Sequence, residues 1–321
     1  RTFGGSARVT EPTIAVLLPC YNEEAAIAQT VAGFRDALPT ATIYVYDNNS
    51  RDRTADVAAS AGAIVRTEKI QGKGAVVRRM FADVDADIYV MADGDATYDA
   101  ASAPALVARL LDEQLDMVVG SRVHEAAEAY RRGHQFGNKA LTGMLARLFG
   151  RSFSDILSGY RVFSRRFVKS FPVLSAGFEI ETEISVHALE LKMPVAEVST
   201  PYFARPEGSE SKLNTYGDGW RIMRTIVTLY RIERPWAFFG VAALVLLAAA
   251  VILAIPLAIT YAQTGLVPRF PTAILATGLV ILASLSFFAG LILDTVVRGR
   301  REVKRLAYLG QSAPGSTTRR A

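Results

Sequence analysis

The sequence predicts an α/β domain built on a mostly parallel sheet with helices on both faces, followed by a membrane-embedded helical hairpin. Three observations carry this. Short apolar runs alternate with helix-like stretches through five units between Ile14 and Val119, the pattern of a parallel sheet with crossover helices. Polar residues collect just past the C-terminal ends of these runs, the edge at which open α/β sheets bind ligands. Farther on, two long stretches carry no charge: 24 residues from Trp236 to Ile259 and 21 from Ala273 to Leu293. Each can cross a hydrocarbon core of about 30 Å.

The units follow in order. Ile14–Leu18 is a continuous apolar strand stopped by Pro19, and an alanine-rich helix follows from about Glu24 to Leu38. Ile43–Tyr46 is the second strand; Asp52 and Thr54 then open a short helix to about Ser60. Ala63–Arg66 is the third, followed by Gly72-Lys73-Gly74 and a helix to about Ala82. Ile88–Met91 is the fourth, ending in Asp93-Gly94-Asp95. A helix over Ala101–Glu113 and a strand at Met117–Val119 complete the series, with a later helix at Glu179–Lys192 and a strand near Val195–Val198.

Four strand ends deliver polar groups to one edge: Tyr21 to Glu24, Asp47, Asp93 with Asp95, and Ser121 with Arg122. Two carboxylates one residue apart beside a glycine suit a hard divalent cation, Mg2+ or Mn2+, which keeps part of its shell for phosphate oxygens. The same residues also fit an acidic turn in which Asp99 caps the next helix. Gly72-Lys73-Gly74 reads either as a lysine and backbone amides meeting a phosphate at a helix start or as a flexible turn. No glycine-rich dinucleotide or P-loop signature is present.

The bulk composition narrows the classes. Of 321 residues, 50% are hydrophobic and 21% charged, with a net charge of +5. Cys20 is the one cysteine, which excludes an intramolecular disulfide and a cysteine-rich metal site, and His124, His134 and His187 lack metal-ligand spacing. The polar opening Arg1–Arg8 reads as a processed or trimmed start. The basic excess flanks the apolar stretches, as Arg221, Arg224, Arg231 and Arg234 before them and Arg298, Arg300, Arg301, Lys304 and Arg305 after. That distribution points to a membrane surface and not to nucleic acid.

The regions between sheet and membrane are also basic. Tyr130–Phe149 is a helical stretch with Arg131, Arg132, Lys139 and Arg147. Arg205 to Lys212, including Ser211, is a polar loop that either closes over an anionic ligand or serves as a linker. Asn214–Glu233 is a basic amphipathic helix, suited to the lipid interface or to packing on the soluble domain. The expected division is a soluble α/β domain over 1–213, an interfacial helix over 214–234, a two-helix hairpin over 235–298 and a basic tail over 299–321. The segment joining the hairpin helices carries one charge, Arg269, while both outer flanks are arginine-rich. The positive-inside rule therefore places the domain and both ends in the cytoplasm. Asp294, near the cytoplasmic end, gets no transport role. Ala248-Ala249-Ala250 would permit close helix contacts in an oligomer.

The ordered set of motifs resembles the family 2 glycosyltransferases of GT-A fold, and more narrowly the polyprenyl-phosphate glycosyltransferases. The motifs are Pro19 through Glu24, Asp47 with Ser50, Asp52 and Thr54, Gly72-Lys73-Gly74 and Asp93-Gly94-Asp95. Gly120-Ser121-Arg122, Ser158-Gly159-Tyr160-Arg161 and Arg205 through Lys212 follow. The resemblance covers about residues 14–213 and implies that Pro19, Tyr21, Glu23, Asp47, Lys73 and Asp93 bind a UDP- or GDP-sugar. It implies Asp95 as main metal ligand, with Asp93 beside it. Arg122, Arg131, Arg161, Arg205, Ser211 and Lys212 would face donor or acceptor phosphates, and Asp155, Asp93 and Arg122 would take part in catalysis. Many relatives have Gln two residues after the second Asp, where this chain has Thr97. The activity implied is inverting, metal-dependent transfer of a single sugar to a polyprenyl phosphate. A processive polysaccharide synthase would carry a Q-x-x-R-W motif, which is absent. A non-catalytic nucleotide- or lipid-binding membrane protein would not need the acidic set.

Overall fold

The computed structural model describes residues 11–124, 143, 153–173, 179–206, 224, 227–228 and 230–315. Contacts divide the chain into two units, one formed by 1–220 with 304–321, the other by 221–303.

The first unit is a seven-stranded sheet. Its strands are β1 (Ile14–Cys20), β2 (Thr42–Asp47), β3 (Ile64–Thr67), β4 (Ile88–Met91), β5 (Met117–His124), β6 (Arg161–Ser164) and β7 (Val195–Tyr202), in spatial order β3-β2-β1-β4-β6-β5-β7. β6 runs antiparallel to β4 and β5; the other pairings are parallel. β1 is central, with Ala15 to Cys20 buried, which requires apolar cover on both faces. The helices are α1 (Ile27–Ala37), α2 (Thr54–Ser60), α3 (Lys73–Asp83), α4 (Ala103–Asp112), α5 (Arg165–Ser170) and α6 (Ile180–Glu190). Ile27, Val31 and Phe34 of α1, spaced at i, i+4 and i+7, and Leu106 and Leu110 of α4 line the core.

Two details differ from the sequence expectation. Pro19 does not stop β1: pairing with β4 ends at Leu17↔Met91, while pairing with β2 continues to Cys20↔Asp47. Pro19 thus sits where the strand has a partner on one side only, a place that tolerates a missing N–H. β6 has just two apolar residues, Val162 and Phe163, yet all four of its residues are buried. Its placement between β4 and β5 supplies the burial that its own composition does not signal.

In the second unit, α7 (Pro235–Thr264) and the part of α8 (Phe270–Leu309) up to Val303 are each long and apolar enough to cross a membrane. Their large side chains, including Leu244, Ile252, Ile281 and Ile292, point outward, while Ala243, Ala250, Ala276, Ala283 and Gly290 are buried. These small residues recur every seventh position along each helix, the spacing of one packing seam. A Cβ on Gly290 would come within 3.0 Å of Phe239 Cβ. Small residues therefore serve the contact between the two helices. Glu233 accepts from Arg301 at 2.9 Å, and Asp294 accepts from Arg298 at 2.9 Å. Most of the expected amphipathic helix over 214–233 lies outside the described residues.

The segment from 299 onward, set apart in the sequence as a tail, continues α8 to Leu309. Its last turns belong to the first unit. Lys304 Nζ donates to Glu190 at 2.7 Å, and Tyr308 donates its hydroxyl to Asp116 at 2.8 Å. Arg166 covers the Tyr308 ring, 4.9 Å from its centroid, and pairs with the same Asp116. Asp116 is fully enclosed and also accepts from Ser164. Tyr308→Phe removes one of its three partners and should cost about 1 kcal/mol. Thermal unfolding of the purified variant, read as a small drop in Tm with activity retained, checks this.

Candidate active site

β1 and β4 are neighbours, with β2 and β3 to one side and the remaining strands to the other. This reversal of strand order is a topological switch point, and the crevice beyond it is where such sheets bind ligands. The loops after β1 and β2 are stitched together there. Asn22, in a left-handed conformation (φ 53°), donates its N–H to Ser50 Oγ, and Arg51 N–H donates to Asn22 Oδ1. Glu23 and Glu24 N–H donate to Thr54 Oγ1 and Asp52 Oδ2. Ser50, Asp52 and Thr54 therefore hold backbone in place. Pro19 is buried, Tyr21 is half-buried and Glu23 is 9% exposed at this edge. Asp47 is 7% exposed; its Oδ2 accepts from Ser50 N–H, while its Oδ1 has no donor among the described residues. A buried acceptor left open in this way calls for a ligand N–H or O–H.

β4 delivers the acidic pair. Gly94 is required sterically: a Cβ there would lie 2.3 Å from Cys20 Sγ. Asp93 is backed by Gly159, where a Cβ would come within 2.9 Å of Asp93 Oδ2. Lys73, the first residue of α3, reaches Asp93 Oδ1 and Glu181 Oε1 at 2.5 Å each. Burial alone would lower the lysine's pKa, but Asp93 and Glu181 outweigh it and hold the ammonium well above its ordinary range. Asp95 is 3% exposed and accepts from Thr97 Oγ1 at 2.6 Å and Thr97 N–H at 3.2 Å. Its Oδ2 lies 2.7 Å from Arg205 Nη2. Burial, and then the charge of Asp93, push the Asp95 carboxyl above its ordinary pKa despite Thr97 and Arg205. Asp99 also caps the following turn, accepting from Ala101 N–H. The turn and cap reading is thus met too, by the Asp95–Thr97 turn and by Asp99, beside the ion pairs of Asp93 and Asp95.

β5 delivers Arg122 against Asp155. The guanidinium donates twice, at 2.7 and 2.8 Å, and the Arg122 N–H adds a third bond at 3.3 Å. Burial would raise the Asp155 pKa, but Arg122 outweighs it and holds the carboxyl below its usual range. Glu197 of β7 fixes this loop by accepting from Ser154 N–H at 2.8 Å.

Arg161 departs from the expectation of a phosphate contact. It is fully buried and donates to Ile156 O, Ser158 O and Ser185 Oγ, so its guanidinium holds the 156–161 turn against α6. Burial pulls its pKa down to about 10. Arg131, Ser211 and Lys212 lie outside the described residues. Glu181 is the member of the cluster that sequence reasoning missed. It is one of several acids on α6, and nothing local marks it.

Among the described residues no group of three or more metal-ligating side chains forms. A hard cation that takes few protein ligands and fills its shell from phosphate and water fits Asp95 with neighbouring Asp93. Asp95 in particular is a buried carboxylate whose ionised form requires a positive partner.

Residues 15–171 match the family described as Glycosyl transferase family 2. Glycosyltransferase AglJ of Haloferax volcanii is 34% identical over 233 residues, covering 72% of this chain and 76% of that protein. A dolichyl-phosphate hexose transferase of the same organism is 28% identical over 221 residues, 69% of this chain and 95% of that one. Glucosyl-3-phosphoglycerate synthase from Mycobacterium tuberculosis, solved with Mn2+, UDP and phosphoglyceric acid, superposes with a TM-score of 0.57. It is 23% identical and covers 68% of this chain and 78% of its own. The sheet with its flanking helices is the GT-A arrangement, and this chain belongs to the family 2 glycosyltransferases.

Proposed function

We propose that this protein transfers one sugar from a nucleotide-sugar to a polyprenyl phosphate at the cytoplasmic face of a membrane. The observation that carries the proposal is the occurrence in one chain of the Asp93–Asp95 site and two outward-apolar helices. The likeness to a dolichyl-phosphate hexose transferase over 69% of the chain supports the lipid-phosphate acceptor. The arginine-rich outer flanks support a cytoplasmic catalytic domain.

Each residue then has a physical task. Asp47, an acceptor only, takes an N–H of the base or a ribose hydroxyl. Uracil and guanine offer such an N–H on the Watson–Crick edge, which agrees with a UDP- or GDP-sugar. Pro19, Tyr21 and Glu23 line the same end. Lys73 is fixed as a cation beside Asp93, Arg122 is preorganised by Asp155, and Arg205 adds a second positive charge where the diphosphate and acceptor phosphate meet. Asp95, with Asp93, would hold Mg2+ or Mn2+, whose role is to neutralise charge on the departing diphosphate. The acceptor phosphate, with a second pKa of about 6, is already largely ionised at pH 7. It needs no strong base, so Asp155 works by orienting Arg122. In-line attack at the anomeric carbon gives inversion.

Incubating the purified protein with UDP-, GDP- and dTDP-sugars, a divalent cation and a short-chain polyprenyl phosphate tests this. Metal-dependent glycolipid formation from at least one donor is expected. Turnover to polymer, or none with any donor, would reject it.

A further inference from the structure

Asp93 and Asp95 each carry a protein cation, and the two cations differ in exposure. Lys73 has a side chain 10% exposed and sits between two carboxylates, Asp93 and Glu181, at 2.5 Å each. It is locked in place. Arg205 is 30% exposed and lies on the segment that leaves β7, with Nη2 2.7 Å from Asp95 Oδ2. Asp95 itself is nearly enclosed, with a side chain 4% exposed. A carboxylate so placed needs a positive partner at every stage. A guanidinium and a divalent cation can each meet that need at the same oxygen. Together they would set two positive groups against each other in a poorly solvated corner.

We propose that Arg205 is a displaceable stand-in for the metal: it occupies Asp95 when no donor is present and moves to the donor's diphosphate when one arrives. The cation then binds with the nucleotide and not ahead of it. This rests on the nucleotide-sugar reading above. A diphosphate is the partner best able to draw Arg205 away, because the planar guanidinium fork matches phosphate oxygens in pairs. Asp95 trades one positive partner for another, and its buried charge is never left alone. Lys73, enclosed and doubly paired, stays with Asp93 throughout. Arg205 is thereby a positioning residue that sets the order in which metal and donor bind.

Calorimetric titration of Mn2+ into the full chain in lipid nanodiscs tests this. Wild type, Arg205→Gln and Arg205→Lys are compared without nucleotide and with saturating UDP or GDP. Arg205→Gln should bind Mn2+ alone about five- to tenfold more tightly than wild type, the lower range of coupling between sites. The tightening that nucleotide confers should shrink by a similar factor, since coupling between two ligands is reciprocal. Arg205→Lys, which keeps the charge but not the fork, should fall between the two. A thermal melt confirms that each variant is folded. Arg205→Gln binding Mn2+ alone no more tightly than wild type, with the nucleotide effect intact, overturns this inference and leaves the functional reading standing. Absence of Mn2+ binding in all three proteins, with and without nucleotide, overturns both.

Discussion

Asp95→Asn should lower sugar transfer by about two to three orders of magnitude, the usual loss when one preorganised electrostatic group is removed from a transfer site. It should do so without destabilising the fold. The sign follows from the pKa shift. Burial and the Asp93 charge raise the Asp95 pKa above its unfolded value. The corresponding stabilisation is therefore present below the unfolded pKa and is lost as pH rises through the folded one. At neutral pH the ionised side chain costs stability, and a neutral amide of the same shape removes that cost. The variant should melt at or above the wild-type temperature while its Mn2+ affinity, read by titration, falls sharply. A variant that keeps wild-type turnover and Mn2+ affinity would remove Asp95 from the site's chemistry.

Asp155→Asn should reduce transfer as well, but with the opposite effect on stability. Asp155 accepts two bonds from Arg122, and both side chains are mostly buried, at 10% and 14% exposure. Removing one charge of such a pair takes the main ionic partner from the other and costs about 3 kcal/mol. Arg122 outweighs burial and holds the Asp155 pKa below its unfolded value. This stabilisation is present above the unfolded carboxylate pKa, near 4, and is lost as pH falls through the lower folded value. Wild type should therefore lose stability on acidification below about pH 4, and the variant should lose less over that range. Denaturant melts of both proteins between neutral and acidic pH check the prediction. Equal acid sensitivity would mean that the pair does not hold this loop. Two carboxylates at one sheet edge thus make opposite contributions, one serving chemistry at the expense of stability and one holding an arginine in place.

The pattern of burial explains which parts of this arrangement were legible in the chain. β1, β2 and β4 are short apolar runs ending in turn or acidic residues, so strand, direction and ligand edge could be read together. The two membrane-length helices were equally plain, because the core of a soluble fold seldom holds an uncharged run of that length. β6 was hidden: Arg161 and Ser164 make half of a fully buried four-residue strand polar. The arginine is tolerated inside because two carbonyls and a hydroxyl satisfy it. That compensation is tertiary, and it turned an expected phosphate ligand into a core residue. Glu181 was hidden for the same reason, since α6 packing alone selects it from the other acids of that helix. Arg205 was legible as a basic residue near the site, but its contact with Asp95 joins segments far apart in the chain. Thr97 donates its hydroxyl to Asp95 and so keeps a polar contact with that carboxylate.

The most direct measurement is mass spectrometry of the lipid recovered after reaction of the full chain with a single nucleotide-sugar, a divalent cation and a short-chain polyprenyl phosphate. The account predicts a lipid heavier by one sugar unit, cleaved by mild acid and absent when the cation is chelated. A ladder of sugar additions, sugar released to water alone, or an unmodified lipid under every donor would contradict it.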